Sequence, residues 1–111
     1  MTIRPLSDQF HVASQLAPAD IPGLAAAGYK TIVCMRPDHE VTDQPLMTTV
    51  KAATLAQGLA FHFLPVLSGA VTEAQAAALA DLLAHAEGPV LAYCASGNRA
   101  ALAFGMAYNA G

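Results

Sequence analysis

Apolar residues in this chain fall into short solid runs, and between the runs they recur at helical spacing. Val90 to Tyr93 is such a run, entered through Gly88 and Pro89, and it suits a central parallel strand covered on both faces. Phe10 to Ser14 reads as a first strand, Tyr29 to Met35 as a second with Thr31, Ile32 and Val33 at its centre, and Leu59 to Val66 as a third inner strand. The segments between them carry helix signals. Asp20 with Pro18 and Pro22 suits a helix entry, Leu24 to Ala27 continue that helix, and Gly28 ends it. Pro45 precedes a helix predicted from about Leu46 to Gln57, stopped by Gly58. Thr72 and Gln75 form a capping box that opens a helix to about Glu87, with Ala76, Leu79, Ala80, Leu83 and Ala84 on one apolar stripe. A last helix begins near Arg99.

Strands therefore alternate with helices throughout, which predicts parallel pairing, right-handed crossovers and helices on both faces of the sheet. The expected architecture is a single α/β domain over residues 1–111, with a mostly parallel sheet of four or five strands. Neither a repeat nor a linker interrupts it. The exposed end of the last helix leaves a face that another copy of the chain could cover, so a homo-oligomer is one assembly the sequence allows, with the oligomeric state left open.

Composition narrows the class. Of the 111 residues 55% are hydrophobic and 12% charged, far from the disordered regime. The formal charge is −3, and Arg4, Lys30, Arg36, Lys51 and Arg99 are scattered, so no basic cluster exists to neutralise nucleic-acid phosphates. Residues 1–12 hold Arg4 and Asp8 but no apolar segment, and no run approaches the roughly 20 apolar residues of a membrane span. The reading is a bacterial, cytoplasmic protein with no membrane partner, whose Cys34 and Cys94 are reduced thiols. His62 in a strand and His39 in a loop lack a second Cys or His at ligand spacing, so neither a metal nor a cofactor is expected.

The chemistry concentrates at Cys94-Ala95-Ser96-Gly97-Asn98-Arg99. Cys94 falls at the carboxyl end of its strand, the edge of an open α/β sheet where ligands bind. A tight turn running straight into a helix aims backbone N–H groups and the positive end of the helix dipole at one point. Gly97 lets the backbone curl, and Arg99 can turn a planar, permanently charged fork toward the same anion. The same field favours a thiolate. Helix termini alone supply up to about 2 kcal/mol of such stabilisation, so Arg99 and the loop amides must supply the rest. Residues 95–99 are the candidate anion loop and Cys94 the candidate nucleophile, taking a small anionic substrate. The competing reading makes Cys94 an inert core cysteine and Gly97 an ordinary turn glycine.

Four stretches together resemble a known bacterial family: Val-Ala-Ser-Gln-Leu at 12–16, Ala-Ala-Gly-Tyr-Lys-Thr-Ile at 26–32, Met-Arg-Pro-Asp-His-Glu with Asp-Gln-Pro at 35–45, and Tyr-Cys-Ala-Ser-Gly-Asn-Arg at 93–99. The family is the phosphatase-like domain found alone and attached to proteins called beta-lactamase hydrolase-like, with a dual-specificity phosphatase fold. The resemblance implies Cys94 as nucleophile and Arg99 as anion clamp. It leaves the reaction open between phosphate-ester hydrolysis and sulfur transfer to a thiol acceptor.

Departures from the cysteine phosphatases favour sulfur. Arg99 stands five positions after Cys94, the rhodanese spacing, where those phosphatases have six. The loop that would carry their aspartate general acid reads Leu67-Ser68-Gly69-Ala70, without an acid to protonate an alkoxide leaving group. Ala100 stands where they tend to have a hydroxyl, and Tyr93 where a histidine usually precedes the cysteine. Sulfur transfer needs neither acid nor hydroxyl, since sulfite or a thiolate leaves as a stable anion. The sequence thus favours a sulfurtransferase working through a Cys94 persulfide, with two alternatives: a phosphatase borrowing Asp38 or Glu40 as its acid, or a non-catalytic anion-binding or partner-docking module. The blander reading of Asp38 and Glu40 is a solvated acidic loop with Arg36 as a surface or structural partner. Cys34 reads as a small core residue, with a resolving role toward Cys94 as the lesser option.

Overall fold

A computed structural model describes residues 1–108. Five strands form one sheet: β1 (Ile3–Pro5), β2 (Phe10–Ala13), β3 (Thr31–Cys34), β4 (Ala60–Phe63) and β5 (Val90–Tyr93), in the spatial order β1-β2-β5-β3-β4. β5 is central and parallel to both neighbours, with Val90 opposite Phe10 on one side and Thr31 on the other. All four of its residues are buried. Their alternation divides the core into two layers. Val90 and Ala92 join Phe10, Val12, Val33 and Met35 on one face; Leu91 and Tyr93 join Ala13, Ile32 and Cys34 on the other.

Helices cover both layers. A 3-10 turn (Pro18–Asp20), α1 (Ile21–Ala26) and α2 (Met47–Ala56) close the second face through Ile21, Leu24 and Val50. The first face lies under α3 (Glu73–His85) and α4 (Asn98–Tyr108), with Leu79, Ala100 and Ala103 buried and Phe104 stacked on Phe10 at 4.5 Å between centroids. The capping box at α3 forms in full: the Gln75 N–H donates to Thr72 Oγ1 at 3.1 Å, and the Thr72 N–H donates to Gln75 Oε1 at 2.9 Å. These two bonds satisfy amides that the helix leaves free at its first turn.

Three expectations need correction. Strands do not alternate with helices throughout, because β1 pairs antiparallel with β2 as a hairpin at the sheet edge. Only three residues long, with Pro5 at its end and just one residue half-buried, β1 lacks the alternation that marks a strand. The stretch around Phe61 is not an inner strand. β3 already has β5 on its other side, so β4 takes the far edge, leaving His62 and Phe63 exposed. Along α3, Ala84 faces solvent and Leu82 packs against the core beside Leu83. Among the described residues no helix is long and apolar enough to cross a membrane.

Candidate active site

β5 delivers Cys94 to the carboxyl edge of the sheet, and four residues later the chain is already in α4. Backbone bonds fix the turn: the Cys94 N–H donates to Ala13 O at 3.3 Å, and the Gln15 N–H donates to Ala95 O at 3.2 Å. Gly97 is buried with φ +94°, a conformation that L side chains rarely adopt. That turn points the Gly97 N–H at Cys94 Sγ, 3.1 Å away. A Cβ there would meet the Ala13 backbone at 3.4 Å. Ser96 Oγ accepts from the Asn98 N–H at 3.2 Å and so caps the start of α4. The predicted loop of residues 95–99 thus curls around the sulfur. Cys94 itself is fully buried.

Arg99, 8% exposed, neighbours the same cysteine. Its Nη1 donates to Glu40 Oε2 at 2.7 Å and to Val66 O at 2.9 Å, and its Nη2 donates to Glu40 Oε1 at 2.8 Å. Five N–H groups make up a guanidinium fork. Both hydrogens of Nη1 and one of Nη2 are therefore engaged, leaving Nε–H and one Nη2–H as a parallel pair along one edge. Glu40, with a lesser contribution from Cys94, holds the guanidinium firmly in its charged form.

Glu40 is the residue that sequence reasoning placed least well. Named as an alternative acid or as part of a solvated acidic loop, it is instead a deprotonated counter-ion. The hydrogen bonds from Arg99, then the one from Arg36, hold its carboxyl down to about 2 against the opposing effect of burial. Of the two roles read for Arg36, surface or structural partner, the structure shows the structural one: it is buried, its Nε donates to Glu40 Oε1 at 2.8 Å, and its Nη1 donates to Gln15 Oε1 at 3.0 Å. Asp38 is placed elsewhere. Its Oδ1 accepts from the Met47 N–H at 2.8 Å, at the first turn of α2, a position where a carboxylate satisfies a free amide and meets the positive end of the helix. Asp38 is thus tied to the start of α2, and Glu40 to two arginines. The loop after β4 reaches Arg99 only through the Val66 carbonyl.

Arg4 is a further residue the sequence did not single out; from β1 its Nη2 donates to Asn98 Oδ1 at 3.0 Å and braces the candidate anion loop. A lone arginine on a three-residue strand carries no local signal. Cys34 is buried in the layer opposite α4, with its thiol donating to Arg36 O at 3.3 Å and pushed up by burial. Tyr93, whose hydroxyl is buried without a hydrogen-bond partner and is likewise pushed up by burial, lies in the same layer. Among the described residues no group of three or more His, Cys, Asp or Glu could hold a metal ion. An apolar cleft of about 780 Å³ between α3 and α4, lined by Ala76, Leu102 and Met106 among others, contains none of the residues around Cys94.

Comparison with known proteins places this geometry. The Beta-lactamase hydrolase-like protein of Agrobacterium fabrum is 41% identical over 95 residues, covering 86% of this chain but 22% of its own length. The chain thus spans only a minor part of that relative. A crystal structure from Neisseria meningitidis, described as a candidate phosphatase, superposes with a TM-score of 0.86 at 35% identity, covering 91% of this chain and 72% of that one. TpbA of P. aeruginosa, solved with pTyr, shares the fold at a TM-score of 0.68 and 21% identity, covering 91% of this chain and 58% of its own. Residues 2–110 match the family described as beta-lactamase hydrolase-like protein, phosphatase-like domain, and the chain belongs to that family, with the fold of the cysteine phosphatases.

Proposed function

We propose that this domain is a phosphatase-type hydrolase that uses Cys94 on small phosphorylated substrates whose leaving groups depart as stable anions. One observation carries the reading: the Gly97 N–H points at Cys94 Sγ from 3.1 Å and the Arg99 guanidinium neighbours the same cysteine, the arrangement a tetrahedral oxyanion needs beside a nucleophile. The Cys94 thiolate attacks phosphorus, the P–O bond to the leaving group breaks, and the phosphoryl oxygens rest on Arg99 and the loop amides. Water then cleaves the S–P bond, releasing inorganic phosphate and returning the thiolate. Asp38 is bonded to α2 and Glu40 is held as a carboxylate, so neither supplies the proton that an alkoxide would need. Aryl phosphates and phosphoanhydrides leave without one. Missing acid catalysis is worth roughly 10² to 10⁴ in rate on poor leaving groups. Aryl phosphates should therefore be hydrolysed faster than alkyl phosphates by about that factor, with a phosphocysteine trapped at Cys94 by acid quench. Equal rates on both classes, or no phosphate released from either, would defeat the reading.

A second reading, sulfur transfer, is favoured by the Leu67–Ala70 loop without an acid and by the five-position spacing of Cys94 and Arg99. Here the thiolate attacks the outer sulfur of thiosulfate, the S–S bond breaks, sulfite leaves, and the Cys94 persulfide passes its sulfur to a thiol acceptor. Intact mass spectrometry after thiosulfate decides: a gain of one sulfur atom at Cys94 supports this chemistry, and an unmodified Cys94 removes it.

A further inference from the structure

We propose that Arg36 is a positioning residue for the anion clamp, acting through Glu40 to hold Arg99 with its free edge turned toward Cys94. The inference rests on the reading of residues 94–99 as an anion site. Glu40 belongs to the long loop between β3 and α2, follows His39 in a left-handed conformation at φ +66°, and precedes Val41, which is 54% exposed. Its other tie within that loop is light: the Glu40 N–H donates to Gln44 Oε1 at 3.1 Å. The carboxylate itself is held by two arginines. Arg36 Nε and Arg99 Nη2 both donate to Oε1, each at 2.8 Å, while Oε2 goes to Arg99 Nη1 at 2.7 Å. Arg36 is anchored in turn by Gln15, whose own N–H is bonded to the anion loop at Ala95 O. The chain of contacts runs from the loop, through Gln15, Arg36 and Glu40, to Arg99.

The ion pairs point the same way: Glu40 is gripped by two guanidinium groups, so Arg36 fixes the carboxylate against which Arg99 is aligned. Without Arg36, Glu40 would neutralise Arg99 alone and would be free to turn with its exposed loop. An arginine fork whose partner turns loses the parallel alignment on which bidentate oxyanion binding depends.

The test measures the affinity of the whole chain for inorganic phosphate and for thiosulfate, beside its melting temperature. Neither binding measurement needs turnover, so a failure of the proposed hydrolysis would leave the result interpretable. Arg36→Ala should weaken the tighter-bound of the two anions by about ten-fold, the effect of losing one charged hydrogen bond. Arg36→Lys, which keeps the charge but cannot serve Glu40 and Gln15 with one fork, should fall between, and it carries the comparison should the alanine variant fail to fold. In a Glu40→Ala background, Arg36→Ala should cost nothing further, because its route to Arg99 is already cut. A merely structural arginine would lower the melting temperature and leave anion affinity unchanged, and that result overturns the proposal. So does an Arg36 effect that survives undiminished without Glu40. Tighter anion binding by Glu40→Ala also overturns it, since Glu40 would then be a competitor for Arg99. A wild-type chain that binds neither anion removes both the anion site and its positioning residue.

Discussion

Two strand–loop–helix units reach the same edge of the sheet by different means. From β5 to α4 the turn is four residues long, and everything it contributes to the site is local: the sulfur, the amide aimed at it and the guanidinium that closes it all lie between Cys94 and Arg99. From β3 to α2 the connection runs from Met35 to Leu46, and its contributions act at a distance. Asp38 bonds to Met47 and Glu40 crosses to an arginine 59 positions away in sequence. In the proposed mechanism the first unit builds the reactive centre and the second holds one of its parts in place. Substitutions in the first should therefore strike chemistry, and those in the second should strike affinity and stability.

The largest expected effect is on the proposed nucleophile. Cys94→Ser replaces the sulfur of the proposed nucleophile with a hydroxyl that has no adjacent base, and turnover should fall by about 10⁴-fold or more while the fold survives. Residual turnover within about ten-fold of the wild type would move the nucleophile elsewhere. Next comes Arg99→Lys. A single ammonium cannot bond Glu40 twice, reach Val66 O and still present two parallel donors to substrate, so kcat/KM should drop by about 10² to 10³. Because Arg99 is buried against a carboxylate, this variant should also lose stability, which separates it from a residue that serves the ligand alone.

The same contrast explains what the sequence could reveal. Cys94, Gly97 and Arg99 are legible because each acts within one turn, where composition and order determine geometry. The central position of β5 is legible for a like reason: a solid apolar run tolerates solvent on neither face. Glu40, Arg36 and Gln15 carry no such signal, since an acid and a base four apart in a polar loop read as solvated until a strand pairing brings them to Arg99. The edge position of β4 was hidden too. Its aromatic residues suggest burial, yet strand order depends on where β2 and β5 pair, which no local pattern encodes.

Backbone strain offers a sharper comparison between the units. Gly97→Ala would place a Cβ at φ +94° against the Ala13 carbonyl group at 3.4 Å. It should cost about 1–2 kcal/mol and tilt the amide away from Cys94, lowering both the melting temperature and activity. His39, at φ +66°, sits in the small left-handed region that histidine tolerates. His39→Gly should change stability by only about 0.5 kcal/mol, with activity measured in parallel. Equal damage at both positions would mean that the second loop is as rigidly built as the first.

The smallest effect is the acid dependence of the second unit. Glu40 has an ordinary value of 4.5, lowered to about 2 by Arg99 and Arg36. A carboxyl held down in the folded state binds fewer protons than in the unfolded chain, so it adds stability above its unfolded value and loses that stability as pH falls. The contribution should be complete above about pH 4.5 and fade toward pH 2. The Glu40 side chain is 24% exposed, so solvent screens the pair and the effect should be modest. Glu40→Gln supplies the reference, because it keeps the shape of the side chain and removes the titration. Urea unfolding of both proteins should give curves separated at neutral pH that converge as the pH approaches 2. A gap of constant width across that range would show that Glu40 is held by shape and hydrogen bonding rather than by its charge, and would break the account of the second unit as an electrostatic brace for Arg99.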